Sequence, residues 1–287
     1  MKGIILAGGT GSRLYPLTLC TSKQLLPLFD KPMIYYPLSL LLLAGIKEIL
    51  IISNPEMLPL YKKLLRSGEQ FGVEFHYAEQ GKPAGIAQSF LIGEEFINNQ
   101  PVCLILGDNF FYGDIRTHLI NASSLTQGAK IFGYAVNNPQ SYGVAEMDNN
   151  HKVLSIVEKP KNPKSSYAVV GMYFYDSQVV EITRSLKPSD RGELEITCVN
   201  QAYLEKGQLE ISLLGRGTTW FDAGTHESLL EASNFIAAIE HRQGQKIACL
   251  EEIAYKEGYI TKETLSQAAK EFQASSYGAY LKNLLNT

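Results

Sequence analysis

Residues 2–18 read KGIILAGGTGSRLYPLT. The apolar run Lys2–Ala7 passes directly into a loop that carries Gly8, Gly9 and Gly11 and one cation, Arg13. A short apolar run ended by glycines reads as a strand, and a glycine-rich loop in that place usually cradles phosphates.

Outward from this stretch, strand-like and helix-like segments alternate. Glu48–Ser53 (EILIIS), Val73–Ala78 and Val102–Leu106 (VCLIL) read as strands, and Tyr36–Ala44, Pro55–Arg66 and Ile86–Ile97 as helices. Unbroken apolar runs of this kind suit a parallel sheet covered on both faces. The alternation predicts an α/β fold with a doubly wound, mostly parallel, Rossmann-like sheet flanked by helices. From Ile131 to Asp176 the texture changes to strands joined by short polar turns such as Asp148-Asn149-Asn150, which predicts a small antiparallel lobe. His226–Gln243 reads as a long amphipathic helix, with Thr261–Phe272 and Tyr277–Leu285 as two more. No Gly-, Ser- or Pro-rich linker divides the chain. The expected organisation is one α/β domain over residues 1–240 and a C-terminal helical appendage over 241–287.

Composition narrows the function classes. The chain is 45% hydrophobic and 19% charged, as globular proteins are. A net charge of −3 and a pI of about 6.0 give no basic field for nucleic acid or anionic membrane. An anionic ligand would therefore fall to a few local Lys and Arg. Cys20, Cys103, Cys198 and Cys249 include no C-x-x-C pair, which favours reduced, buried thiols over a zinc site or disulfides. Met33–Ala44 is the longest apolar stretch; Tyr35-Tyr36-Pro37 interrupts it, and it is too short to span a bilayer. It reads as a buried helix ended by Gly45. No signal peptide is expected, because the first apolar run ends in the glycine loop. The expectation is a soluble, cytoplasmic protein.

Two phosphate loops can be tested against the opening stretch. The dinucleotide fingerprint G-x-G-x-x-G could start at Gly9, but its third glycine is Leu14, and Ser53-Asn54 stands where a ribose-binding acid belongs. The Walker pattern has no match. What remains is a glycine turn carrying Arg13, followed by Lys23 in SKQLLPL. Two cations near one phosphate loop suit charge that grows during displacement at phosphorus, though a tight turn with two solvated cations reads the same way.

Gly8–Thr18 followed by Ser22–Pro27 resembles the signature loop of sugar-phosphate nucleotidylyltransferases. KQLLPLFDKPMIYYPLS, LGDNFFYG, VEKPKNPKS, GMYFYD, RGELEIT and FDAGTHESLLEA resemble more specifically the glucose-1-phosphate thymidylyltransferases, in order and over essentially the whole chain. The resemblance implies Mg²⁺-dependent transfer of a thymidylyl group from dTTP to glucose 1-phosphate, giving dTDP-glucose and pyrophosphate for nucleotide-sugar synthesis of the dTDP-rhamnose type. Transfer would be by direct in-line displacement. Consistent with that, His76, His118, His151, His226 and His241 form no nucleophile-and-base motif. Alternatives are the same chemistry with UTP or an amino-sugar phosphate, a non-catalytic sugar-nucleotide sensor and, third, a nicotinamide-dependent oxidoreductase.

By resemblance, residues 1–130 would hold the nucleotide and residues 131–225 the sugar. Gly8, Gly9, Gly11 and Ser12 would hold the triphosphate through backbone N–H groups, with Arg13 on the α-phosphate and leaving pyrophosphate and Lys23 on the triphosphate. Gln24 and Gln80 would face the pyrimidine, with Gly85 permitting close approach. Relatives carry a Ser-Pro-Asp-Gly-like stretch where this chain has Gly81-Lys-Pro-Ala-Gly85, so Ala84 replaces an acid, and Lys82 adds a charge read as facing solvent. Asp108 and Asp222 would be the metal ligands; alone, Asp108 reads as a loop acid or N-cap, and Asp222 as an N-cap to the helix after Thr225. Lys159 would bind the sugar phosphate. Asn109, Gly143, Glu158, Val169, Tyr173, Arg191 and Trp220 would lie near the hexose or its phosphate, although Tyr173 and Trp220 also suit a core. A homotetramer with feedback by a dTDP-sugar at a second site is implied too, with Tyr112, Gly113, His118, Arg216, Cys249 and Glu252 near that site. The all-round apolar LSLLLLAG segment also asks for cover on more than one side.

Overall fold

The computed structural model describes residues 1–286. In chain order its strands are β1 (Lys2–Leu6), β2 (Pro27–Leu28), β3 (Lys31–Pro32), β4 (Glu48–Ser53), β5 (Glu74–Glu79), β6 (Val102–Leu106) and β7 (Asn109–Gly113). They continue with β8 (Ala129–Ala135), β9 (Gly143–Met147), β10 (Val153–Glu158), β11 (Tyr167–Tyr175), β12 (Leu209–Leu214) and β13 (Thr218–Asp222). The parallel strands β6, β1, β4 and β5 lie side by side in that order. Their side chains alternate between two apolar layers. Ile5, Ile49, Ile51, Cys103 and Ile105 face one core, and Ile4, Leu50, Ile52, Val102 and Leu104 face the other. Both faces being dry explains why these strands read as unbroken apolar runs.

Strand β11 joins the two halves. Met172–Tyr175 pair antiparallel with β6, and Ala168, nearer its start, pairs with β9. Strand β8 runs along the other edge of β11 and carries β12 outside it. The sheet therefore forks at β11 into the parallel half and the β9–β10 ribbon. Asp148 closes the ribbon's turn by accepting the backbone N–H of Asn150 and Lys152. The expected antiparallel lobe is this ribbon together with β8 and β11.

Three helices open on a capping side chain. Thr225, Thr261 and Ser275 cap the helices His226–Gln243, Lys262–Glu271 and Ser276–Leu284 by accepting a backbone N–H three residues on. The helix Tyr35–Leu43 ends at Gly45, whose φ of +77° lets Gly45 and Ile46 donate back to Leu42 and Leu41. The expected single helix over 86–97 is instead two, Gln88–Ile92 and Glu94–Ile97, meeting at Gly93. A Cβ there would stand 3.1 Å from Ile4 and Leu50 side chains, so close packing on the sheet holds that glycine.

The apolar helix Tyr35–Leu43 finds its cover inside the chain. It packs against the helices Leu250–Lys256 and Arg116–Ser123 and against β7. Its apolarity is thus no argument for a partner subunit. The thiol expectation also needs correcting: Cys103 and Cys249 are buried, but Cys20 is exposed and Cys198 half-buried.

The β2–β3 hairpin is fastened to the end of helix His226–Gln243 by four charges, Lys31 and Glu240 buried, Asp30 and Lys246 half-buried. Lys31 pairs with Asp30 and Glu240, and Lys246 with the same two acids. Removing one member strands a charge in the interior. Lys31→Met is expected to cost about 3 kcal/mol of folding stability, read by urea denaturation. A loss under about 1 kcal/mol would mean that Lys246 alone satisfies both acids.

Candidate active site

The carboxyl ends of β1 and β6 are extended by backbone rather than side chain. Gly107 donates its N–H to Leu6 O at 2.9 Å, and Gly8 follows β1. Beyond Gly8 the loop turns at Gly9 (φ +93°) and Gly11 (φ +62°) into a short helical turn, Ser12–Leu14. Thr18 fastens the loop by donating its hydroxyl to Gly11 O at 2.8 Å. Arg13 is left exposed on this turn.

Strand β6 delivers Asp108 past Gly107, and β7 follows at once, so Asp108 caps no helix. Strand β13 pairs antiparallel with β7 with Asp222 opposite Asn109, and Ala223 N–H donates to Asp108 O at 3.1 Å. The register brings together two carboxylates that lie 114 positions apart (222 minus 108). Thr225, not Asp222, caps the following helix, in a capping box with Ser228. Both acids are therefore free for other work.

Their environments differ. Burial alone would raise the Asp108 carboxyl, but its ion pair with Lys23, together with the Asn109 amide at 3.0 Å, holds it below the usual carboxylate range. Asp222 has no such partner: its Oδ1 is buried without a hydrogen bond. Burial first, and then the negative charge of Asp108, push Asp222 up to about 6. A Cβ on Gly224 would stand 2.9 Å from Asp222 Oδ1 and 3.1 Å from Arg13 Nη2, so a glycine keeps this space open. An orphaned carboxylate oxygen beside a second carboxylate, in a space open to more ligands, fits a hard divalent cation. Glu48, Glu74 and His76 are another group of possible metal ligands among the described residues, but they lie elsewhere on β4 and β5, where Lys2 pairs with Glu48.

The Asp222 shift fixes a pH dependence. In metal-free protein the folded state binds this proton more tightly than the unfolded chain, so its contribution falls as pH rises from about 4 to about 6. Asp222→Asn should therefore gain stability relative to the parent across that window, measured by denaturation in chelator from pH 4 to 7. A difference independent of pH would remove the shift.

Next to these groups lies a cleft lined by Gly143, Glu158, Lys159, Val169, Tyr173 and Trp220, with Arg13, Asn109 and Asp222 at its wall. Thr197 donates to Glu158 Oε2 at 2.6 Å, leaving Oε1 with Lys159 at 3.7 Å and Arg191 at 3.8 Å. Lys159 is exposed at the end of β10. Arg191 does not line the cleft directly; its closest acid is Glu195, at 2.9 Å. Asn109 is buried: Oδ1 accepts Trp220 Nε1 at 2.7 Å and Gly171 N–H at 3.1 Å, and Nδ2 donates to Asp108. It orients Asp108. Trp220 and Tyr173 are core residues with one side on the cleft.

Gln24 and Gln80 are both buried beside the glycine loop, Gln80 against Gly8 and Gln24 against Gly107. Gly85 (φ +101°) admits a close approach from the protein itself. The Leu194 backbone stands 2.3 Å from where its Cβ would be, so the missing side chain makes room for protein.

The residues expected at a second site lie on β7, on the turn before β13, and on or beside the helices Arg116–Ser123 and Leu250–Lys256. Gly113 packs on Gly217, next to exposed Arg216, and Tyr112 accepts Gln243 Nε2 at 2.8 Å. His118 is half-buried against Phe132. Cys249 is buried, and buried Glu252 is hydrogen-bonded to Tyr280 and paired with Lys256.

Sequence reasoning passed over Thr197, Glu195 and Tyr142, which hold or line the cleft. Two of them sit in the RGELEIT motif, where only the arginine was singled out.

Comparison with known proteins agrees with this geometry. The profile of the family described as nucleotidyl transferase matches residues 2–239. A glucose-1-phosphate thymidylyltransferase from Neisseria meningitidis is 54% identical over 286 residues, 99% of each chain. One from Mycolicibacterium smegmatis is 53% identical, covering 100% of this chain and 99% of its own. The crystal structure of a Bacillus anthracis protein that bears the same enzyme name, in complex with a sucrose, superposes with a TM-score of 0.77 at 47% identity, over 82% of this chain and 94% of its own. UDP-glucose pyrophosphorylase complexed with UDP-glucose gives 0.71 at 25% identity, over 83% and 98%. A shared profile, full-length identity above one half and a common fold leave one assignment: the chain belongs to the nucleotidyl transferase family, among the glucose-1-phosphate thymidylyltransferases.

Proposed function

We propose that this chain transfers a thymidylyl group from dTTP to glucose 1-phosphate, releasing dTDP-glucose and pyrophosphate, with Mg²⁺ as the divalent cation. The observation that carries the reading is one constellation: Arg13, Lys23, Asp108 and Asp222 gathered at the carboxyl ends of β1, β6 and β13, beside the cleft that holds Glu158. The substrates are those that the names of full-length relatives imply.

An oxygen of the sugar phosphate attacks the α-phosphorus in line, and pyrophosphate leaves with the bonding electron pair. The protein's part is to position polyanions and balance their charge. Backbone N–H groups of Gly8–Ser12 hold the triphosphate, and Lys23 and Arg13 meet the charge that grows on the α-phosphate and leaving group. Asp108 and Asp222 would hold the cation, which when bound neutralises and orients phosphate oxygens. Lys159 binds the sugar phosphate. Glu158, fixed by Thr197, accepts hydrogen bonds from hexose hydroxyls through its other oxygen.

The test is pyrophosphate release across four nucleotides and three hexose 1-phosphates. The expected best pair is dTTP with glucose 1-phosphate. Faster release with UTP, the base implied by the name of one structural neighbour, would move the assignment to that nucleotide. No release with any pair would favour a sugar-nucleotide sensor. A homotetramer and feedback by a dTDP-sugar rest on resemblance. Light scattering separates that tetramer from a 31.8 kDa monomer.

A further inference from the structure

A glutamine side chain turns either end of its amide outward with almost the same shape, so its partners decide whether it offers a donor or an acceptor. Gln80 Nε2 donates to Gln88 Oε1 at 2.9 Å, and the same Oε1 accepts the Ala84 backbone N–H at 2.9 Å. A backbone N–H only donates, so this bond fixes Gln88 with its oxygen inward. An inward oxygen in turn accepts only the donor end of Gln80. Gln80 Oε1 is left without a hydrogen bond among the described residues, pointing at Gly8, 2.1 Å from where a Cβ there would stand.

The anchor is held rigid. Leu194 N–H donates to Ala84 O at 2.7 Å, Ala87 N–H donates to Leu194 O at 3.1 Å, and the Leu194 backbone fills the space beside Gly85. Gln24 is set the other way round. Its Oε1 accepts the Ser22 hydroxyl at 2.5 Å and lies 3.4 Å from the Tyr61 hydroxyl, which leaves Nε2 as the end without a hydrogen bond among the described residues. One buried amide thus offers an acceptor beside Gly8 and the other a donor beside Gly107, past the ends of the neighbouring strands β1 and β6.

We propose that Gln88 is a specificity-determining positioning residue. Anchored by the Ala84 N–H, it locks Gln80 to present an acceptor, so that the pocket takes a pyrimidine-2,4-dione and rejects cytosine. The inference rests on the functional reading above, which lays the base against Gln24 and Gln80. A 2,4-dione has a protonated N3 between two carbonyls, so N3–H meets Gln80 Oε1 and the C4 carbonyl meets Gln24 Nε2. Cytosine has a lone pair at N3 and an amino group at C4, which sets acceptor against acceptor and donor against donor. The replacement of an acid by Ala84 leaves this relay intact, because the backbone of residue 84 supplies the bond.

The experiment compares Gln88→Glu and Gln88→Met with the parent, measuring kcat and KM for dTTP and dCTP with glucose 1-phosphate. Glutamate still accepts both bonds and should keep the dTTP:dCTP ratio of kcat/KM within about threefold. Methionine fills similar volume without a comparable acceptor. It should lower the ratio on the order of tenfold or more, mainly by raising the KM for dTTP, with kcat falling less. A parent-like ratio in Gln88→Met overturns the proposal, and so does a Gln88→Glu ratio that drops as far as that of Gln88→Met. Melting temperatures check folding, and Gln88→Ala replaces the Met variant if that one does not fold. If the parent releases no pyrophosphate from dTTP, the functional reading fails. The relay is then tested by equilibrium binding of dTDP against dCDP, where equal ratios in parent and variant overturn it.

Discussion

Asp108→Asn is expected to lower turnover on the order of 10²–10³-fold while leaving the fold intact, and to flatten the response to added divalent cation. The side chain keeps its shape, and its oxygen can still accept from Asn109. What goes is the charge. Lys23 loses the carboxylate that places its ammonium, and Asp222 loses the neighbour with which it would share a cation. The loss should appear in kcat more than in KM, since charge balance matters most where negative charge is growing. The check is a cation titration of steady-state pyrophosphate release, with thermal melting as control. A variant that keeps the parent's titration curve would take Asp108 out of the cation site.

Arg13→Ala should cut turnover by a factor on the order of 100 or more. The guanidinium is exposed on the glycine turn, so removing it costs the core nothing and the melting temperature should hold. Yet it stands beside Gly224, 3.1 Å from where a Cβ would be, on the same open space as Asp222 Oδ1. Lysine at this position should restore only part of the rate, because a point charge replaces a planar fork. Turnover within a few-fold of the parent would reduce Arg13 to a solvated surface cation.

The parallel half of the fold was legible because β1, β4 and β6 are buried on both faces, so that their polar residues, Lys2, Glu48 and Ser53, fall only at strand ends and the interiors are unbroken apolar runs. Helices with good caps were legible for a local reason, as at Thr225 and Thr261. The helices Val179–Ser185 and Ile196–Glu205 were missed, since neither opens with a side-chain cap. The β7–β13 pair was missed because its partners are joined only through the fold. The same holds for the site. The charged groups Arg13, Lys23, Asp108 and Asp222 stand in recognisable local motifs. The contacts that orient Asp108, from Asn109 to Gly171 and Trp220, span 62 and 111 positions and have no local signal. Asn109, expected near the hexose, stands at the wall of the cleft and also carries these contacts. Gln88 escaped notice because its importance lies in which way one amide points, and a sequence does not record that.

The claim on which the account turns is that this site transfers the nucleotidyl group directly, by balancing charge, with no covalent intermediate. Its most direct test is the stereochemistry at the α-phosphorus. One diastereomer of dTTP bearing sulfur on the α-phosphate is turned over with glucose 1-phosphate, and the configuration of the product dTDP-glucose thiophosphate is determined by phosphorus NMR. A single in-line displacement predicts inversion. Retention would mean two successive displacements through a nucleotidyl-enzyme, and would contradict the account.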